Sequence, residues 1–565
     1  MDEAQLRKLI VRGETLEVEF KRAGDLNALT DRELAAALAC LANGNGGLLL
    51  MGVEDDGTVT GVAPRHGTTT DLGRLRLEVA RLTEPALQVA VDEVRLGEAT
   101  VIVITVPLSE VPVSVGGRFA RRAQKRDGSP ECTPMGIAEL QSVALTATGI
   151  DYMDRVVPGV GWDDVDPLEI ERFRRLARTA SGDAGVADLS DREVARALRA
   201  IRVRGEIVEV TLGGIALFGT PGAIDEHLGS SRAQFQVLRG TDVLVNESVA
   251  GTVLYLAEWL GAQVEARNEE HEINVGLIRV AVPRVNRRAA REAIANALVH
   301  RDYLEPGAIS VRLSDAELTV ISPGGLPRGV TLDSMLEASQ PRSAMLASAL
   351  KRAGIVELAG RGVEVMFEEL LRAGRDEPDY SRTGERWVTV ALDASQPDRD
   401  LVRYITTIES ERSASLNRIE LQVIHTLREA GSASLPDLEE MVGAPASRLR
   451  GVLRRMTEGG LIEVRGSGSK RDYHLSARFY RLAEDGTAGV RISDVDAVRH
   501  PHMVLELIER KGPVSRSEVA RLGGLSPEQA SALLRRMVSE GQLQQTGAKR
   551  GTRYDKPAQG APASV

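Results

Sequence analysis

Two polar side chains on one helical face carry the most specific chemical signal in this sequence. Glu292 and Asn296 stand four residues apart in a run whose apolar residues predict a helix, and His300 continues their face. An amide oxygen can ligate Mg²⁺ held by phosphates, and a carboxylate can orient or deprotonate a water molecule. The spacing therefore predicts a nucleotide site, although a half-buried helix with its polar face in solvent has the same pattern.

Two glycine-containing segments follow that helix. The first is Ile321-Ser-Pro-Gly-Gly-Leu-Pro327, and the second is Gly360-Arg-Gly-Val363, which opens an apolar helical run. Glycine lets backbone N–H groups approach phosphates closely, and a helix N-terminus favours anions. We therefore expect the nucleotide phosphates to lie against the glycines of both segments, namely Gly324, Gly325, Gly360 and Gly362.

The order of these motifs resembles the Bergerat ATP-binding fold of the GHKL class, in the branch known as the RecG-like C-terminal or divergent HATPase domain. The resemblance covers residues 281–395. It implies that Asn296 holds Mg²⁺, that Glu292 positions a water molecule and that the four glycines line ATP. GHKL proteins place an aspartate before the first glycine pair to read the adenine amino group, whereas Ser322 and Pro323 stand here. We therefore expect ATP binding, with at most weak hydrolysis.

A second resemblance lies at the N-terminus, over residues 1–145. The segments Glu14-Thr-Leu-Glu-Val-Glu-Phe-Lys21, Asn43-Gly-Asn-Gly-Gly47 and Gly52-Val-Glu-Asp-Asp-Gly57 resemble the Schlafen AlbA-type domain. In animal relatives the matching carboxylates form a metal-binding nuclease triad, which here implies Glu14, Glu19 and Asp55 with Mg²⁺ or Mn²⁺.

An alternative interpretation of the same segments stays open. Glu14 and Glu19 are five residues apart on a predicted strand, so they start on opposite faces unless a bulge intervenes, and Asp55 is an ordinary turn residue. In that case the domain binds nucleic acid without cutting it. Arg121 and Arg122 would then contact phosphates, or would only protect a hairpin edge by their charge.

The C-terminal third contains a repeat. Leu453-Arg-Arg-Met456 recurs 81 residues later as Leu534-Arg-Arg-Met537, each followed by Glu-Gly-x-Leu and then a Gly/Lys/Arg turn. Capping and periodicity predict three helices and a strand–turn–strand in each copy, with the helices at 418–430, 436–442 and 444–458, and at 502–511, 516–522 and 526–540. The pattern predicts two winged helix-turn-helix domains at 411–480 and 497–556.

The cations of this repeat favour DNA as the partner. Third helices of such domains enter the major groove, and wing cations neutralise phosphates. The candidate contacts are Arg448, Arg450, Arg454, Lys470 and Arg471 in the first copy, and Arg535, Arg536, Lys549, Arg550 and Arg553 in the second. Residues 411–556 carry a net charge of +5 in a chain of net −10. The arginine pairs could instead stabilise helix ends, and winged helices also serve as protein contacts.

The connector at 150–280 is the least informative segment. Its pattern predicts helices near 167–180 and 191–202, strands at 206–210, 212–219 and 233–238, and an amphipathic helix at 253–268 that could support a homodimer. The tail, residues 557–565, is small and Pro/Ala-rich and is predicted to be disordered.

Composition excludes several classes of protein. No run of eighteen apolar residues and no signal peptide are present, so we expect a cytoplasmic protein without membrane spans. Cys40 and Cys132 have no zinc spacing and predict no disulfide framework, and Cys40 is expected in the core. No Gly-x-x-x-x-Gly-Lys-[Ser/Thr] loop occurs, which excludes a P-loop helicase.

Together these patterns predict an α+β multidomain protein: an AlbA-type domain, an α+β connector, a Bergerat-like α/β sandwich and two winged helices. Two functions remain. The first is an ATP-responsive DNA-binding protein acting as a transcriptional regulator. The second is a metal-dependent nuclease acting on RNA or DNA, used in defence. A requirement for Mg²⁺ or Mn²⁺ separates them, because cutting needs the metal whereas DNA binding by winged helices does not.

Overall fold

The structure of the chain is a computed structural model with two compact units. The first unit comprises residues 1–267, 290–363 and 379–391, and the second comprises 268–289, 364–378 and 392–565. The residues that it describes are 1–25, 29–124, 129–147, 151–179, 182–275, 278–327, 330–332, 334–335, 341–356, 361–384, 386–466, 471–483, 501, 503–505, 507–509, 511–523, 527–547 and 552–557.

Over its described residues, the N-terminal part of the first unit forms two sheets and four helices. The helices are α1 (Glu3–Arg12), α2 (Asp31–Asn43), α3 (Leu72–Leu82) and α4 (Ile137–Ala147). The strands are β1 (Val18–Lys21), β2 (Gly47–Met51), β3 (Ala90–Leu96), β4 (Ala99–Val106), β5 (Ser114–Val115), β6 (Arg118–Gln124) and β7 (Pro130–Pro134). One sheet has the order β1-β2-β4-β3, with β1 and β2 parallel, and the other has the order β5-β6-β7.

Strand β2 is apolar at every position after its first glycine because both faces of the four-stranded sheet are covered. Leu49 and Met51 belong to the core that α2 and α3 share with the sheet. Leu50 points to the opposite core, which contains Leu6 of α1 and Phe20 of β1. This double burial fixes the position of β1, which carries Glu19.

The expectation for the two cysteines is corrected. A disulfide joins Cys40 of α2 to Cys132 of β7, with Cα atoms 6.0 Å apart. Cys40 is buried, as expected, but Cys132 is exposed. The two cysteines are 92 residues apart in sequence, so only the folded arrangement of α2 and β7 reveals the pairing.

The connector is mostly helical. Its helices are α5 (Pro167–Ala177), α6 (Ala184–Ala187), α7 (Asp191–Ala197), α8 (Leu212–Phe218) and α9 (Pro221–His227), with one hairpin of β8 (Ile201–Arg204) and β9 (Ile207–Val210). The predicted strand at 212–219 is wrong, because α8 occupies it. The Thr211 hydroxyl caps that helix by accepting from the Gly214 N–H at 3.0 Å, and every residue of α8 is buried. Periodicity cannot separate a fully buried helix from a buried strand.

The chain then continues through elements that belong partly to the first unit and partly to the second. They are, in order, β10 (Arg232–Arg239), β11 (Asp242–Ala250), α10 (Val253–Glu265), β12 (Glu270–Val275), β13 (Ile278–Pro283), α11 (Arg287–His300), β14 (Ile309–Leu313), β15 (Glu317–Pro323), α12 (Ala344–Arg352), α13 (Gly362–Arg372) and β16 (Trp387–Asp393).

A five-stranded sheet in the order β11-β10-β14-β15-β16 forms the base of this region. Strand β10 lies parallel to β14, so the hairpin β10–β11, which sequence analysis assigned to the connector, belongs to the same sheet as the glycine segment after β15. Helix α10 buries five apolar side chains within the chain itself: Val253, Leu254, Leu256, Leu260 and Val264. These side chains therefore do not form an exposed surface for the predicted homodimer.

The second unit contains the first winged helix. After α14 (Arg399–Arg412) come α15 (Arg418–Ala430), β17 (Ala433–Ser434), α16 (Leu435–Val442), α17 (Ala446–Glu458), β18 (Ile462–Arg465), β19 (Asp472–Leu475) and α18 (Ala477–Ala483). The strands form a sheet in the order β17-β19-β18, and one core joins α14 to the three helices and the sheet. The predicted helix–helix–helix–wing order is confirmed.

The second winged helix has its own core, which includes Val504, Val519, Leu534 and Tyr554. Its described elements are helical residues among 501–511, then α19 (Arg516–Gly523), α20 (Pro527–Ser539), β20 (Gln544–Thr546) and β21 (Arg553–Asp555). Over the described ranges, no helix is both long enough and apolar enough to cross a membrane. The predicted disorder of 557–565 concerns residues that, apart from Pro557, lie outside the described ones.

Candidate nucleotide and nucleic-acid sites

The predicted helix with the carboxylate and the amide forms as α11, and Gly362 packs against both of its polar side chains. Glu292 is only 2% exposed and Asn296 is half-buried. A Cβ built on Gly362 would lie 2.5 Å from Glu292 Oε2 and 3.5 Å from the Asn296 amide nitrogen. The structure therefore brings together three of the residues predicted for the nucleotide site. A side chain at position 362 would require the Glu292 carboxylate to move.

The first glycine turn lies at the end of the same helix. Gly324 has φ +94°, and a Cβ there would lie 2.6 Å from Asp302 Cβ, so both conformation and space require glycine. The Ser322 hydroxyl donates to the Ala297 carbonyl at 2.9 Å, which ties β15 to α11. Gly325 follows and is half-buried.

Arg342 connects these parts, and sequence analysis did not identify it. Its Nε donates to the His300 carbonyl at 2.9 Å, it donates to the Gly325 carbonyl, and its Nη1 lies 3.5 Å from Asp302 Oδ2. One guanidinium therefore holds the C-terminus of α11 against the glycine turn. The sequence signal that could have pointed to Arg342 is its position directly before Ser343, the residue that caps α12.

His300 is held in its neutral form. Burial, together with the nearby charge of Arg342, lowers the pKa of the His300 imidazole to about 4. At neutral pH it therefore adds no charge to the site, and its predicted place on the polar face of α11 does not make it a cationic phosphate ligand.

The depressed pKa of His300 predicts an acid-sensitive fold around α11. The unfolded chain takes up a proton near the ordinary histidine pKa while the folded chain does not, so stability falls as the pH drops from about 6.5 towards 4. Between pH 7 and pH 5 we expect about 2 kcal/mol of loss from this group. Hydrogen exchange of peptides that cover α11, measured in the full-length chain at each pH, should show His300→Gln losing less protection than wild type over that interval. Equal losses would contradict the assignment.

The donors present fit the phosphate and metal end of a magnesium nucleotide. Asn296 offers an amide oxygen, and the missing Cβ of Gly362 leaves space beside Glu292. The Gly324 N–H is already donated to the Arg386 carbonyl at 2.7 Å, so this N–H does not serve a phosphate. The adenine end fits less well, because the hydroxyl of Ser322, which stands near the place of the usual aspartate, is already committed to Ala297. The arrangement suits nucleotide binding better than rapid hydrolysis, since Glu292 is shielded from water.

The N-terminal carboxylates hold an arginine between them. Arg122 is 5% exposed, forms an ion pair with Glu19, and places Nη2 3.6 Å from Glu14 Oε1. Its Nε donates to the Thr15 carbonyl at 2.8 Å and its Nη2 to the Val18 carbonyl at 3.1 Å. The Glu14 carboxylate also accepts from the Phe20 N–H at 2.7 Å. Glu14 and Glu19 thus come together, but around a guanidinium.

The third member of the proposed triad, Asp55, lies in the turn that follows β2. Within the described ranges, no three His, Cys, Asp or Glu side chains are placed to hold a metal ion. The proposed metal set of Glu14, Glu19 and Asp55 is therefore not assembled. Arg122 is corrected from an expected phosphate contact to a buried structural residue, whereas Arg121 is half-buried and pairs with Glu139.

In the first winged helix, the arginines of α17 are exposed and unpaired. Arg448, Arg450, Arg454 and Arg455 are all exposed, and within the described part of the chain none of their side chains has a carboxylate or hydrogen-bond partner. Leu449, Val452, Leu453 and Met456 bury the opposite side of the helix. Other arginines of this unit are paired, as Arg428 is with Asp398 at 3.0 Å. Arg471 of the wing is also exposed.

The second winged helix uses its cations differently. Arg535 Nε donates to the Ser531 carbonyl at 3.2 Å, and Arg536 lies 3.9 Å from Glu540. Arg553 pairs with Glu518 at 3.0 Å. Lys511 and Ser515 also bind that carboxylate and lower the pKa of Glu518 to about 2. These cations have internal partners, whereas the side chains of the α17 arginines have none among the residues that the structure describes. Four other predicted contacts, Gly360, Lys470, Lys549 and Arg550, lie outside the described residues.

Comparison with protein families matches four successive segments of the chain. Residues 14–129 match the Schlafen AlbA_2 family, and residues 146–234 match a domain of unknown function. Residues 307–392 match the family described as "Putative ATP-dependent DNA helicase recG C-terminal". Residues 394–565 match the family described as "DNA glycosylase AlkZ-like" and include both winged helices. Glu292 and Asn296 lie before the RecG-type match.

One solved structure is similar over nearly the whole chain. It is the DIP2311 protein from Corynebacterium diphtheriae, which is 20% identical, with 98% of this chain and 99% of that chain covered and a TM-score of 0.51. At that identity the likeness shows the fold alone. Comparison with curated proteins gives no match.

The predicted AlbA-type, RecG-type and winged-helix parts are thus each matched, while the AlkZ-like character of the last was not foreseen. Along the chain, a Schlafen AlbA_2 domain, an ATPase-like RecG-type C-terminal domain and an AlkZ-like winged-helix segment follow one another, and they point to a protein that binds nucleic acid.

Proposed function

We propose that this protein is a nucleotide-responsive DNA-binding protein that acts as a transcriptional regulator, with its first winged helix as the main DNA contact. The observation that carries the proposal is the set of exposed arginines on α17, whose side chains have no partner among the described residues. Four exposed cations on the third helix of a winged helix suit a phosphate backbone and the base edges of a major groove. The AlkZ-like and RecG-type families are both named for DNA enzymes, which supports DNA as the nucleic acid.

The central domain would supply the response to nucleotide. Asn296 would hold Mg²⁺, and the segments that contain Gly325 and Gly362 would receive the phosphates of ATP. A bound nucleotide changes DNA affinity only if it binds two states of the protein with different affinities. ATP should therefore change the Kd for DNA, and DNA should change the Kd for ATP by the same factor.

No observation favours the metal-dependent nuclease. The guanidinium of Arg122 already supplies the positive charge between Glu14 and Glu19 that a divalent cation would supply. The N-terminal domain is therefore proposed to bind nucleic acid without cutting it.

Removing two cations from α17 tests the DNA contact. Arg450 and Arg454 lie four residues apart on one flank of the helix. Arg450→Ala/Arg454→Ala should weaken binding to a duplex about 100-fold, because each charge-assisted contact contributes about tenfold. The slope of log K against log salt should fall by about 2. Fluorescence anisotropy with a labelled duplex over a salt series measures both quantities.

Arg478→Ala is the matched control. Arg478 also lies in the first winged helix, but it pairs with Glu411. Its replacement removes one positive charge from the domain while α17 stays intact, so DNA affinity should change less than about twofold. If the α17 variant binds DNA as wild type does, the proposed DNA contact is wrong.

A further inference from the structure

A cavity of about 280 Å³ opens on the other flank of α17, within the second unit. Its walls come from three helices: Glu364 near the start of α13, Asn417 and Arg418 at the start of α15, and Arg448, Val452 and Arg455 of α17. The last three are at positions i, i+4 and i+7 and so share one helical face. Arg450 and Arg454 are not among the lining residues.

The charges on the cavity wall favour an anion. Three arginines face a single carboxylate, Glu364. Within the described ranges Arg448 and Arg455 have no ion-pair partner, whereas Arg418 Nη1 is fixed by the Gln422 side chain at 2.8 Å. Arginine binds phosphate oxygens through paired N–H donors, so three arginines in the wall of one cavity suit a phosphoryl group.

The helix that begins at the cavity positions Asn417 and Arg418 in its wall, and its first N–H groups are already bonded. α15 has 13 residues, and its N-terminus carries a partial positive charge. The Asn417 side chain caps it by accepting from the Glu420 N–H at 3.1 Å, and Glu368 Oε1 accepts from the Arg418 N–H at 3.2 Å. Val452 supplies an apolar wall, so the cavity is a shaped concave site.

We propose that this cavity is a phosphate-binding site, with Arg418, Arg448 and Arg455 as its ligands. The phosphoryl group comes either from the backbone of bound DNA or from a small phosphorylated molecule such as a nucleotide. If the phosphoryl group comes from DNA, the inference rests on the proposed function, because the cavity then adds a second set of phosphate contacts to α17. The small-molecule source is independent of it.

Pyrophosphate is the probe, titrated calorimetrically into the full-length protein at constant ionic strength. Wild type should bind it, and Arg448→Ala/Arg455→Ala should bind it at least tenfold more weakly. Arg448→Lys/Arg455→Lys, which keeps the charge, should recover part of the affinity. Arg450→Ala/Arg454→Ala is the matched control, because it removes the same charge from the same helix but leaves the cavity wall intact.

Adding pyrophosphate to the DNA complex identifies the source. If pyrophosphate releases DNA at the concentration that fills the cavity, the site holds a phosphate of the DNA backbone. If pyrophosphate binds and DNA stays bound, the site holds a separate small ligand. Both results support the site. Equal pyrophosphate binding by the two alanine variants, or no binding by wild type, would overturn it. Failure of the proposed function appears separately, as unchanged DNA affinity in Arg450→Ala/Arg454→Ala.

Discussion

Replacing Arg122 by methionine should destabilise the N-terminal domain by about 3–5 kcal/mol, the cost of breaking a buried ion pair by removing one partner. Methionine keeps most of the side-chain volume but removes the charge. Glu19, which is 5% exposed, would keep only its ion pair with Lys21. The carbonyls of Thr15 and Val18 would also lose their donors. The segment that leads into β1 should therefore open before the rest of the sheet.

Hydrogen exchange measured by mass spectrometry in the full-length chain is the suitable readout, because a multidomain protein has no single unfolding free energy. Peptides that cover β1 and β6 should exchange about 100-fold faster or more in Arg122→Met, whereas peptides of the winged helices should not change. Arg121→Met is the matched control. Arg121 lies next along β6 but is half-buried and pairs with Glu139, so its loss should have a small effect. Unchanged exchange of β1 in Arg122→Met would refute the structural role.

The Arg122 contacts show which part of this protein could not be predicted from sequence. The ion pair joins residues more than 100 positions apart. No local pattern distinguishes Arg122 from Arg121, although alternation along β6 places them on opposite faces. The disulfide between Cys40 and Cys132 and the parallel pairing of β10 with β14 are equally long-range. In each case the fold, and not the motif, decides what the residue contacts.

Local signals, in contrast, predicted the C-terminal helices almost to the residue. α15 runs over Arg418–Ala430 as predicted, because Asn417 and Glu420 form a capping box and Gly431 ends the helix with φ +73°. α11 was likewise predicted from its periodicity, and Gly362 from its place before an apolar run. Arg342 was missed because its role depends on the carbonyls of His300 and Gly325, which the sequence does not place near it.

Gly362 and Asn296 give the second prediction with a large expected effect, the loss of nucleotide binding. We expect wild type to bind Mg-ATP and Asn296→Ala to bind it at least 100-fold more weakly, and we expect Gly362→Ala to bind it more weakly than wild type. Asn296→Ala removes the amide oxygen proposed to hold Mg²⁺. Gly362→Ala acts by steric contact. Its Cβ would lie 2.5 Å from Glu292 Oε2 and would push that carboxylate or the start of α13 out of position.

Gly261→Ala separates this steric effect from the general effect of alanine in a helix. Gly261 lies in α10, and a Cβ there would meet nothing within 4 Å. Its replacement should stabilise the helix slightly, by up to about 1 kcal/mol, and leave Mg-ATP binding unchanged. Calorimetry gives the affinities, and circular dichroism shows whether each variant remains folded. If folded Asn296→Ala and Gly362→Ala bind Mg-ATP as wild type does, the nucleotide lies elsewhere. If wild type binds none, the central domain is a scaffold, and regulation of DNA binding must come from the winged helices and the N-terminal domain.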